Sequence, residues 1–63
     1  MFEQAILRQL VQDLLAKSQD AANAYVGLAD HLTDPAMREQ VKLLAREKHR
    51  HVQLAERLLE IVG

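Results

Sequence analysis

The sequence predicts an all-α chain, an antiparallel two-helix hairpin that dimerises into a four-helix bundle. Three observations carry that expectation. Apolar residues recur at three- and four-residue spacing through both halves of the 63-residue chain. One strong breaker, Pro35, divides it. The apolar content is almost wholly aliphatic and alanine, with Phe2 and Tyr25 the only aromatics and no tryptophan. This length suits one domain and is too short for two, so residues 1–63 read as a single helical-hairpin domain.

The first helix is expected over about residues 2–32, because no stop signal intervenes. Leu7, Leu10, Val11, Leu14, Leu15, Ser18, Ala21, Ala22, Tyr25, Leu28, Ala29 and Leu32 share one face, broken only by Ser18 and the tyrosine hydroxyl. Gly27 lies inside this helix at a cost of about 1 kcal/mol relative to alanine, and is read as tolerated on an exposed flank. A turn follows at about residues 33–35, where Asp34 suits the N-cap and Pro35 the first helical position, at which its missing N–H is not needed. The second helix is expected over about residues 35–62. Met37, Val41, Leu44, Lys48, His51, Ala55, Leu58 and Val62 keep an alternating four-three step that reads as its seam. Leu43, Leu54 and Ile61 widen the seam on one side, and Ala45, Val52 and Leu59 on the other.

Each helix would be roughly 40–45 Å long, so the short connection forces an antiparallel hairpin. Two helices cannot bury apolar arcs this wide against each other, and a chain this small gains little net stability from its own core. A homodimer or higher homo-oligomer is therefore expected. No cysteine is present, which excludes disulfides and thiolate metal sites and suits a reducing cytoplasm. No apolar run approaches the roughly 20 residues that span a bilayer, and no targeting segment or membrane partner is expected. Residues 1–34 are acidic and residues 35–63 basic, so the halves should attract weakly.

Gln40, Glu47, Lys48 and His51 interrupt the apolar face of the second helix. Polar groups on a core face cost free energy unless paired, so they mark a polar network or a site. Folding the hairpin about residues 33–35 places Leu28 opposite Val41, Tyr25 opposite Leu44, Ala21 opposite Lys48 and Ser18 opposite His51. Ser18, Tyr25, Glu47, Lys48 and His51 are therefore expected to form a hydrogen-bonded layer near mid-bundle, repeated by a twofold partner. The alternative is a metal site: Glu47 and His51 lie on adjacent turns of one face, and two chains would supply two carboxylates and two imidazoles. Lys48 opposes that use by placing ammonium groups beside the cation.

The stretch Ser18-Gln19-Asp20-Ala21-Ala22-Asn23-Ala24-Tyr25-Val26-Gly27-Leu28-Ala29, then Asp34-Pro35 and Leu43-Leu44-Ala45-Arg46-Glu47-Lys48-His49-Arg50-His51-Val52-Gln53-Leu54, resembles the ferritin-like superfamily. It is similar to a rubrerythrin-type half and to the two-helix encapsulated ferritins, over most of residues 15–58. The resemblance implies a four-helix bundle built from two chains, and iron or another transition metal as cofactor with ferroxidase-like chemistry. Carried over residue by residue, the family's first-helix glutamate falls on Ser18 and the glutamate of its Glu-x-x-His pair on Lys48. The histidine falls on His51, and the tyrosine near the site on Tyr25. Two of three ligand positions are replaced, so the resemblance implies the fold more strongly than the iron chemistry.

Arg38, Lys42, Arg46 and Arg50 form a basic ridge that could grip nucleic-acid phosphates. Glu39, Glu47, Glu56 and Glu60 are interleaved and no aromatic stacks beside it, so a solvated face is the preferred reading. His31 and His49 read as surface histidines. Ser18 and His51 could touch, but no orienting carboxylate or oxyanion site is evident in a helical core, which argues against a Ser-His hydrolase. The expected role is that of a structural, assembly or protein-docking module without a catalytic residue, with metal binding or oxidation at a dimer interface as the alternative.

Overall fold

In the computed structural model, which describes residues 2–63 apart from the side chain of Phe2, the chain folds as two helices. Helix α1 is Phe2–His31 and α2 is Pro35–Val62. They pack antiparallel, and Gln4 Nε2 in the first turn of α1 donates to the Val62 carbonyl at the far end of α2, at 3.2 Å.

Local chemistry sets the boundaries. The ring Nδ1 of His31 hydrogen-bonds the Gly27 carbonyl at 2.8 Å, and Leu32 N–H donates to the Ala29 carbonyl at 3.3 Å. The second bond occupies one of the carbonyls that a helix end leaves without partners. Helix α1 thus stops one residue earlier than expected. Asp34 adopts extended backbone angles, its carboxylate accepts from Ala36 N–H at 3.3 Å, and Pro35 follows in the first turn. Asp34→Ala should therefore cost about 1 kcal/mol, read as a lower urea midpoint with unchanged slope. At the other end, Gly63 N–H donates to the Leu59 carbonyl at 2.7 Å. A Cβ at that position would stand 2.6 Å from the same oxygen, which explains the glycine. Gly27 is different, since an added methyl meets nothing within 4 Å. Gly27→Ala is expected to stabilise by about 1 kcal/mol, measured as a rise in melting temperature.

The buried part of the seam between the helices is made of small side chains. Val11, Leu15, Ser18, Ala22, Tyr25, Ala29 and Leu32 of the first half meet Val41, Ala45, Lys48, Val52, Ala55, Leu59 and Val62 of the second, and all are buried or half-buried. Only Ser18, Ala22, Ala29, Ala45, Val52 and Ala55 are buried among the described residues. Side chains this short let two helix axes approach to the low end of the usual 8–10 Å range.

This corrects the expected seam of α2. Val41, Lys48, Ala55 and Val62 lie on it, but Met37, Leu44, His51 and Leu58 are exposed, and Ala45, Val52 and Leu59 take their place. The four-three step can be threaded through two adjacent rows of α2. The small row Ser18, Ala22, Ala29 on α1 selects the smaller row opposite, because that choice brings the backbones closest. The expected attraction between halves is also not realised as an inter-helix ion pair. Among the described residues the salt bridge is Lys42 Nζ to Glu39 Oε1 at 3.7 Å, within α2.

The resulting rod measures 51 × 14 × 10 Å with a radius of gyration of 14.7 Å. A globular chain of this length has a radius near 11 Å.

Candidate functional site

Four seven-residue rows run along one long side of the hairpin. On α1 they are Leu7, Leu14, Ala21, Leu28 and Leu10, Lys17, Ala24; on α2 they are Met37, Leu44, His51, Leu58 and Gln40, Glu47, Leu54, Ile61. All are exposed except half-buried Ala21. The leucines here are 40–58% exposed and Ile61 is 77% exposed. By contrast, the seam holds nothing larger than valine at full burial among the described residues. Most of the large apolar side chains therefore face away from the chain's own core, and Leu15, Tyr25, Leu32 and Leu59 border it half-buried.

The rows divide into three zones. Leu7, Leu10, Leu14, Leu54, Leu58 and Ile61 cluster towards the open end, and Leu28, Met37 and Leu44 towards the turn. Between them lies a polar band at the middle of both helices. A groove of about 490 Å³ runs into it, lined by Leu14, Lys17, Ser18, Ala21, Lys48, His51, Leu54, Ala55 and Leu58. The structure thus brings Ser18, Lys48 and His51 to one groove.

The remaining layer residues sit differently. Tyr25 is half-buried in the seam and Glu47 is exposed, and neither lines the groove. No hydrogen bond or ion pair joins Ser18, Tyr25, Glu47, Lys48 and His51 among the described residues. Ser18, 8% exposed, serves the seam as a small side chain. Lys48 is half-buried, with its stem along the groove wall. Gln40 is exposed between Met37 and Leu44, within the turn-side cluster and away from the band. Lys17 was missed by sequence reasoning. Its signal was its place between Leu10 and Ala24 in a seven-residue row that widens the α1 face.

The opposite side is polar. Arg38, Arg46 and Arg50 are exposed and Lys42 is half-buried, so the basic ridge slants off the seam onto solvent. Its lower part borders a groove of about 350 Å³ lined by Val26, Ala29, Asp30, Lys42, Ala45, Arg46 and His49. Asp30 sits among those cations, and Glu39 engages Lys42, so the ridge is not a continuous positive strip.

No group of three or more His, Cys, Asp or Glu side chains that could hold a metal ion occurs among the described residues. The pair Glu47 and His51 is one turn of α2, and a cation would need further donors from a second chain. No helix of the described residues is long and apolar enough to cross a membrane. Comparison with protein-family models, curated proteins and solved structures found no match.

Proposed function

We propose that the chain is an assembly module, a helical hairpin that dimerises through its leucine-rich side into a four-helix bundle with a polar band at its centre. The mismatch between an alanine-valine seam and an exposed leucine face carries this reading. The accessible surface is 5131 Å². A folded monomer of this mass has about 4,100 Å² by the usual scaling. The excess of about 1,000 Å² is close to the roughly 800 Å² that each partner buries in a standard interface. Covering the leucine face with a second copy removes the excess and supplies the core that the single hairpin lacks. The resemblance of residues 15–58 to ferritin-like two-chain bundles supports the same arrangement, with the ligand positions at Ser18 and Lys48 replaced.

Light scattering tests it: the mass should be twice 7.2 kDa, or an even multiple of it. A folded, monodisperse monomer at high micromolar concentration refutes the proposal.

A second reading is favoured by one observation, the exposure of Glu47 and His51 on the same face one turn apart. Two chains joined there would offer two carboxylates and two imidazoles to iron or another transition metal. In that case the purified protein carries near-stoichiometric metal per dimer. Added metal also raises the melting temperature, and His51→Ala abolishes that rise.

A further inference from the structure

We infer that charge fixes the orientation of the dimer: its twofold axis runs along the rod, so that α1 of each copy lies against α2 of the other and Lys17 meets the second copy's Glu47. This rests on the dimer proposed above and specifies how that same surface receives its partner.

Two twofold arrangements lay one leucine-rich face on another with the rods, 51 Å long, in full overlap. With the axis along the rod, the two open ends lie together and α1 stands against the second copy's α2. With the axis across the rod, the ends are exchanged, so α1 stands against α1 and α2 against α2. Both arrangements superpose the central band on itself and cover leucine with apolar surface. The charges separate them.

Levels along the rod follow from the bond between Gln4 and Val62 at one end, and from Ser18 and Lys48, which line one groove at its middle. On that register Lys17 and Glu47 differ in level by two residues, roughly 3 Å of rise. Both are exposed, and each occupies the outer of the two rows that its helix brings to the leucine-rich face. With the axis along the rod, Lys17 therefore meets the second copy's Glu47, and symmetry repeats the pair. With the axis across the rod, Lys17, at the midpoint of α1, meets a second Lys17, and Glu47 comes within about a turn of a second Glu47. Docking partly desolvates these groups, which makes unlike pairs tolerable and like pairs costly.

The rows just outside the face repeat the choice. The α1 edge carries Asp13 and Asp20, and the α2 edge carries Arg50 and Arg57, all exposed. With the axis along the rod, the acidic edge lies beside the arginine edge. Asp13 then falls between the levels of Arg50 and Arg57, and Asp20 about one turn from Arg50. With the axis across the rod, Asp13 lies beside Asp20 and arginine beside arginine. Such rim pairs add little affinity but penalise the wrong arrangement. Among the described residues none of these six groups forms an ion pair within its own chain, so all are free to meet a partner. The metal reading needs the other orientation, because pooling Glu47 and His51 from two chains sets α2 against α2.

The chain has no cysteine, so introduced thiols report the arrangement directly. Lys17→Cys and Glu47→Cys, each oxidised alone, should give no disulfide-linked dimer, whereas the two refolded together should give one on a non-reducing gel. Independently, Lys17→Glu should weaken the dimer at least about tenfold by sedimentation, and adding Glu47→Lys to the same chain should restore it. Self-linking of either cysteine variant overturns the inference and leaves the assembly module standing. So does a mixture that does not link although the wild-type chain is a dimer, or a Lys17→Glu chain that dimerises as tightly as wild type. A double variant no tighter than Lys17→Glu counts against it in the same way. A wild-type monomer by light scattering removes the assembly module itself.

Discussion

Leu14→Glu combined with Leu58→Glu is expected to convert the dimer into monomers that have lost most of their helix. Both leucines are exposed in the single hairpin, at 48% and 43%, and both line the central groove. In a twofold assembly each substitution counts twice. Burying a leucine fully contributes about 1.5–3 kcal/mol, so losing the remaining half at four positions removes about 3–6 kcal/mol. Four carboxylates placed in the covered face add desolvation and mutual repulsion to that loss. Total stabilities are typically about 5–15 kcal/mol, so the dimer should not survive. The freed hairpin has only a seam of buried small residues with half-buried Leu15, Tyr25, Leu32 and Leu59 beside them to hold it, and helix content should collapse with association. Light scattering and far-UV circular dichroism on the same sample give both readouts. A variant that stays helical as a monomer would mean that the seam alone stabilises the hairpin.

Enlarging the seam should damage the fold from the other side. Ala22 and Ala55 are each 1% exposed and lie on the seam where the two helices meet. Ala22→Leu or Ala55→Leu forces the helices apart, at about 1–3 kcal/mol per chain, although leucine is nearly as good a helix former as alanine. Ala16→Leu, on an exposed position of the same helix, is the control and should change stability by no more than about 0.5 kcal/mol. Urea unfolding separates the two cases. If all three variants unfold at the same midpoint, the seam is not close-packed.

These outcomes divide along what could be read from residue order. The two helices, the turn and its Asp34-Pro35 cap followed from local rules, because a cap and a breaker act over a few residues whatever surrounds them. The rows were legible too. Which row faces the other helix was not, since the run Met37, Val41, Leu44, Lys48, His51, Ala55 and the run Val41, Ala45, Lys48, Val52, Ala55, Leu59 both keep the same four-three step along α2. The candidate band was legible in part: Ser18, Lys48 and His51 line one groove, Lys17 lines it too and was overlooked, and Tyr25 and Glu47 lie outside it.

The sequence by itself determined an all-α hairpin with more apolar surface than two helices can cover, because periodicity and composition set those quantities without reference to packing. Only the tertiary structure decided how that surface is divided. Close approach of two helices rewards small residues, so the alanines, Ser18 and Val52 took the intramolecular seam. Most of the leucines, with His51 and Glu47 among them, were left on the open face, while Leu15, Leu32 and Leu59 border the seam half-buried.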